Sequence, residues 1–253
     1  MAQIRHLPNA PITEALIDLR IDAVGDISVE SLEGELERRR NLGYRKHGPV
    51  VRSRFGFSVK PEDTPPAIAL APENQIIGWR LHSEDEKYVA LLSLEGMTLS
   101  RLPPYQSWET LVAEAKRLWQ LYLECVGPRQ VTRAATRFIN NLRLPFQEGD
   151  PFERFLLVPP TVPEQLPQPM FGFLQRFVIS DAPSGAVIVF TQALHELHAP
   201  QAPVPVILDI DVFRLSQFPG GGNEVWECLS TLRSLKNRFF FGCLTEEAIR
   251  LYL

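Results

Sequence analysis

Residues 12–23 read ITEALIDLRIDA. Thr13, Ala15, Ile17, Leu19 and Ile21 fall on one side of a two-residue period, and Glu14, Asp18, Arg20 and Asp22 on the other. That alternation predicts a strand with one face against a core and a charged face in water. Residues 130–145, QVTRAATRFINNLRLP, repeat the pattern. Ala134, Thr136, Phe138 and Leu142 form the predicted inner face, and Arg133, Arg137, Asn141 and Arg143 the outer one.

Working outward, each strand opens a similar series. After the first, Ser28 caps VESLEGELERRR, whose acids come early and arginines late, as the helix dipole favours. Gly43 closes that helix. VVRSRFGFSVK (50–60), IIGWRLHS (76–83) and YVALLSLEGMTLSRL (88–102) read as three strands, with a proline-rich loop at 61–72. Ser107 then caps a long helix carrying Trp108, Leu111, Val112, Ala115, Leu118, Trp119, Tyr122 and Leu123 at helical spacing, stopped by Gly127-Pro128. After the second come a short helix near 151–157, a proline-rich loop (159–169) and three strands, FLQRFVIS, AVIVFTQALHEL and VPVILDIDVFRL. PGGGN (219–223) turns into a last helix capped by Asn223, and Thr245 caps a terminal turn.

Each half therefore reads β-α-β-β-β-α. The expected fold class is α+β: a duplicated module forming one curved antiparallel sheet with helices on one face, of the helix-grip or TATA-box-binding-protein-like saddle kind. The halves are 1–128 and 129–253, in one pseudo-symmetric domain. The repeat is of element order, not of residue identity. If the two first strands pair at the centre, the acids of one (Glu14, Asp18, Asp22) face the arginines of the other (Arg133, Arg137, Arg143).

Composition sets outer bounds. Of 253 residues, 45% are hydrophobic and 22% charged, enough for a substantial core. A net charge of −4 argues against a duplex-DNA or anionic-membrane surface, which needs a basic excess. The three cysteines (Cys125, Cys228, Cys243) are far apart, without a C-x-x-C, and read as buried free thiols in a reducing cytoplasm. MAQIRHLPNAPITEA has no apolar signal region, and no run nears eighteen apolar residues.

Motifs for chemistry are sparse. His195 and His198 sit at the end of an expected strand, where i and i+3 point to opposite sides, so they read as loop histidines rather than metal ligands. Asp209 and Asp211 share one strand face. Their geometry suits a cation or acid–base work, but pairing with arginines is the simpler reading. PGGGN lacks the Lys-Ser/Thr of a phosphate loop. There is no G-x-S-x-G. Arg52, Arg54, Lys60 and Arg80 make a local positive region able to receive an acidic peptide, a nucleotide or a single strand. Lys236-Asn237-Arg238 precedes Phe239, Phe240 and Phe241 and reads as a helix end whose cations complement the dipole.

Several stretches carry a family resemblance: Leu7–Ala15 (L-P-N-A-P-I-T-E-A), Ser100–Trp108 (S-R-L-x-x-Y-x-x-W), Arg137–Asn140 (R-F-I-N), Asp209 with Asp211, and Leu232–Thr245. Together they resemble a sporadically distributed bacterial and archaeal protein family with no assigned activity. The resemblance implies relatives, not a reaction. The expectation for function is a cytoplasmic binding or interaction protein without catalysis or cofactor. It would hold a protein partner or small ligand on the open sheet face or at the seam, and a homodimer is compatible with this. Its sporadic occurrence suits an accessory role, such as defence or a toxin–antitoxin-like pair. The alternatives are a small-molecule or nucleotide-binding protein using Arg137, Asn141, Asp209 and Asp211, with or without catalysis, and a nucleic-acid binder using Arg52, Arg54 and Arg80.

Overall fold

In the computed structural model, residues 4–22, 27–39, 43–58, 69–147, 149–194 and 203–253 are described, the side chains of 53–58 and 69–73 excepted. In chain order the elements are β1 (Ile12–Ile21), α1 (Val29–Arg38), β2 (Tyr44–Ser58), β3 (Ala69–Ser83), β4 (Tyr88–Ser93), β5 (Gly96–Arg101), α2 (Trp108–Val126), β6 (Gln130–Leu144), a 3₁₀ turn (Phe152–Arg154), β7 (Phe173–Asp181), β8 (Ala186–Leu194), β9 (Val204–Pro219), α3 (Glu224–Gly242) and α4 (Glu246–Arg250). The strands form one antiparallel sheet of nine, ordered β2-β3-β4-β5-β1-β6-β9-β8-β7.

The fold class is α+β, with one large antiparallel sheet and helices laid on it. β1 and β6 meet at its middle, with Ile17 opposite Thr136 and Leu16 opposite Arg137. Their inner faces are as the alternation predicts: Ala15, Ile17 and Leu19 on β1, and Ala134, Phe138 and Leu142 on β6, are all buried. The helices cover this face. The α2 side chains Leu111, Ala115, Leu118, Trp119 and Tyr122 are buried over β1 and β5, and the α3 side chains Val225, Leu229 and Leu232 over β6 and β9. α1 packs on β3 and α2. Two polar groups pin the helix layer: Trp119 Nε1 donates to the Gly220 carbonyl at 2.7 Å and the Tyr122 hydroxyl to the Ser93 carbonyl at 2.8 Å. None of the described helices is long and apolar enough to cross a membrane.

The helix starts follow cap chemistry. Ser28, Ser107 and Thr245 hydroxyls accept the N–H groups of Ser31, Thr110 and Ala248. Ser107→Ala should lower stability by about 1 kcal/mol in urea titration, the usual worth of such a cap, whereas an unchanged midpoint would show that packing alone holds the start of α2.

Five expectations need correction. Residues 88–102 are two strands, not one. Leu94-Glu95 makes a tight turn, and Gly96, which opens β5, takes φ +135, where a Cβ would stand 2.0 Å from the Leu19 carbonyl oxygen, so only glycine lets β5 lie against β1. The loop expected at 61–72 overlaps β3, which begins at Ala69. Pro72 is tolerated there because this end of β3 pairs with β2 alone, β4 pairing only from Gly78 onward. The helix near 151–157 is a single 3₁₀ turn. Asn223 occupies the cap of α3 without a side-chain bond. Lys236 does not complement a helix end: α3 continues to Gly242 and buries it. The two halves consequently differ in element order, β-α-β-β-β-β-α against β-3₁₀-β-β-β-α-α. The histidine pair lies outside the described residues, as does Lys60.

Candidate functional site

With the helices on one face, the other face of the sheet is left open. Strand register sets its side chains in rows. One row runs Val178, Val189, Asp211, Arg137, Leu16, Ser100, Val89, His82 from β7 to β3, and the next runs Ser180, Val187, Phe213, Ala135, Asp18, Thr98, Leu91, Arg80. Apart from Arg80 on β3, the charged members of these rows gather at the seam.

Asp18 of β1 is only 5% exposed. It accepts from Thr98 Oγ1 at 2.6 Å, Arg20 Nε at 2.9 Å and Arg133 at 2.6 Å. Arg133 also reaches Asp211 on β9 at 3.2 Å and lies over the Phe213 ring, 4.4 Å from its centroid. Arg137 makes a two-bond fork with Asp209, at 2.8 and 2.6 Å. Three aspartates thus meet three arginines, and the network is formally neutral. Its partial burial shows in its protonation. Desolvation pushes the Asp211 carboxyl above its ordinary range, against the pull of Arg133 and Arg137. The Asp209 hydrogen bonds raise Arg137, fixing its charge.

The expected acid-to-arginine pairing across the seam therefore holds for Asp18 with Arg133. Arg137 turns the other way, to β9, and Arg143 is exposed, its backbone N–H donating to the Tyr252 hydroxyl at 3.1 Å. Of the candidate residues named from sequence, Arg137, Asp209 and Asp211 come together. Asn141 stands on the same face of β6, and its Oδ1 is buried without a hydrogen-bond partner. Arg52 and Arg80 do not join them. Arg52 pairs with Glu95 at the β4–β5 turn, and Arg80 is exposed on β3, four strands or about 19 Å from β6. The Arg54 side chain lies outside the described residues. Asp18 and Arg133 enter from the sequence only as members of the expected seam pairing, on the parity that Arg133 shares with Arg137, and Arg20 and Thr98 do not stand out there as part of a site.

The same face also carries exposed apolar side chains on β7 and β9. Leu174 is 74% exposed, Val178 61% and Leu215 68%. Among the described residues there is no cluster of three metal-ligating side chains. No family model matches the chain, and no curated protein matches it.

Proposed function

We propose that this protein is a non-catalytic binding protein whose open sheet face receives a protein partner. The carrying observation is the combination on that face: a charge-balanced, internally bonded network at the centre, flanked by exposed apolar side chains and left uncovered by the helices. A face built to grip duplex DNA would be basic, whereas this one is neutral with apolar flanks. Polar groups that fix register beside apolar surface that drives association are what a protein interface offers.

We also read the sheet as a duplicated saddle. In each half the first strand lies at the seam, the last strand beside it, and the others run outward in reverse order, β1-β5-β4-β3 against β6-β9-β8-β7, with β2 an addition at one edge. The accessory setting, a defence or toxin–antitoxin-like pair, belongs to the same proposal and rests on the family resemblance alone.

The test is native mass spectrometry of tagged protein from its own host, followed by reconstitution with any purified companion. Arg137→Glu, which puts a third acid beside Asp209 and Asp211, and Leu215→Lys should each weaken the reconstituted complex by about tenfold or more, near 1.4 kcal/mol. A companion that binds both variants as tightly as the wild type would remove the open face from the reading.

A further inference from the structure

The two edges of the sheet are built differently. At one edge, β2 carries Gly48 and Pro49, two shifts of register against β3, and the cations Arg45, Lys46, Arg52 and Arg54. Prolines, bulges and positive charges are the devices that keep an edge from pairing with another chain. The β7 edge has almost none of them. Its residues, FLQRFVISD, contain no proline or glycine, pair with β8 without a shift from Phe173 to Asp181, and include one cation, Arg176. Among the described residues, no strand pairs with the outer side of β7.

The side chains of β7 are exposed on both faces as well. Leu174 and Val178 lie on the open face, 74% and 61% exposed. Phe177 and Ile179 lie on the helix side, opposite buried Phe190 and Ile188 of β8. They are nevertheless 41% and 39% exposed, because α3 packs on β6 and β9 and leaves this end of the sheet bare. An unprotected strand with apolar side chains on both faces offers main-chain hydrogen bonds and apolar contact to a strand laid alongside it.

We propose that β7 pairs with β7 of a second copy, antiparallel about a twofold axis perpendicular to the sheet through Val178, joining the two sheets into one. The strand's own pattern selects both a second copy and this register. Residues directly opposite in an antiparallel pair share a face, and the symmetry sets partners at equal distances on either side of the axis. About Val178, valine meets valine, Phe177 meets Ile179, Arg176 meets Ser180 and Gln175 meets Asp181. Apolar side chains lie against apolar ones and polar against polar, on both faces. An axis through Phe177 would set Arg176 against Val178 and Gln175 against Ile179. One through Arg176 would set the guanidinium against its own copy, and one through Ile179 would set Phe177 against Asp181. A single strand from each copy is a small contact beside a standard interface of about 1,600 Å², so the dimer is reversible, with a dissociation constant in the micromolar range. It leaves the charged centre of the open face clear, so this reading and the partner-binding one can fail separately.

Sedimentation equilibrium of the full chain across the micromolar range should show a monomer–dimer equilibrium. Val178→Lys and Val178→Glu change an exposed side chain and should keep the fold, which circular dichroism checks. Each sets like charges opposite one another at the axis and should weaken the dimer by about tenfold or more. Mixed in equal amounts, the two variants should form a heterodimer tighter than either homodimer, because this register brings residue 178 of one copy against residue 178 of the other. A wild-type chain that stays monomeric would overturn the dimer, including when a companion protein's strand is found on β7 instead. Variants that dimerise as well as the wild type would remove β7 as the interface, and a mixture no tighter than the separate variants would overturn the register.

Discussion

Lys236→Met should make the protein more stable at pH 7, and the gain should shrink as the pH rises. The unfolded lysine titrates near its ordinary value of 10.5, while the folded one is lowered to about 7 by burial first and by Arg233 second. Between those two values the unfolded chain holds a proton that the folded chain lacks, so wild-type stability must rise with pH across that window. Above it both states are neutral and the deficit vanishes; below it both are charged and the deficit is constant at its largest. The slope is about 1.4 kcal/mol per pH unit for one proton. Methionine fills similar volume over Phe138, whose ring centroid lies 3.6 Å from Nζ, and cannot charge, so the difference between variant and wild type should be several kcal/mol at pH 7, the loss of the ring contact subtracting only about 1 kcal/mol. Urea titrations at pH 7, 8 and 9 measure it. Parallel curves for the two proteins would mean that Lys236 keeps its charge in the folded state.

Arg133→Met should act oppositely. Asp18 is 5% exposed and would keep only Arg20 and Thr98, while Asp211 would lose its 3.2 Å partner. Removing one member of a buried ion pair leaves the other's desolvation uncompensated, typically 3–5 kcal/mol. Because Arg20 remains, about 3 kcal/mol is expected in urea. Asp18→Leu together with Arg133→Met should recover part of that loss, since the buried Asp18 charge is then no longer stranded, while Asp211 and Arg20 still lack those partners. A single variant as stable as the wild type would show that the network is solvated and serves recognition alone.

The strands at the centre of the sheet are legible in the amino-acid sequence because each has one wet face and one dry face. In 12–23 and 130–145 the two-residue period marks the element and assigns Ala15, Ile17, Phe138 and Leu142 to the core, while Thr13, expected on the inner face, is exposed beside the irregularity at the start of β1. The long helices α2 and α3 are legible from their apolar spacing. The β4–β5 hairpin is not, because the strand-like pattern from Tyr88 to Leu102 hides a two-residue turn at Leu94-Glu95 whose only mark is the Glu95-Gly96 pair. The start of β3 is hidden by its prolines, acceptable only because that part of the strand has a neighbour on one side.

The candidate sites divide in the same way. That Arg137, Asp209 and Asp211 stand on one wet face follows from parity within each strand, and parity is a local property. Which arginine meets which aspartate depends on strand order and register across separate segments: Arg137 has uncharged Leu16 of β1 on one side and the aspartates of β9 on the other, so the fork goes to Asp209, and Arg133 bridges Asp18 to Asp211. Arg101 and Lys236 are further still from local reading. A basic residue near the end of a strand or helix reads as solvated. Only the docking of the helices over the sheet leaves Arg101 3% and Lys236 8% exposed. The amino-acid sequence by itself determined the elements, their buried faces and the charge each strand carries outward, because these depend on neighbours within a few residues. The tertiary structure alone decided which charges are paired and which are left buried without a partner, because burial and pairing arise only when distant segments close on one another.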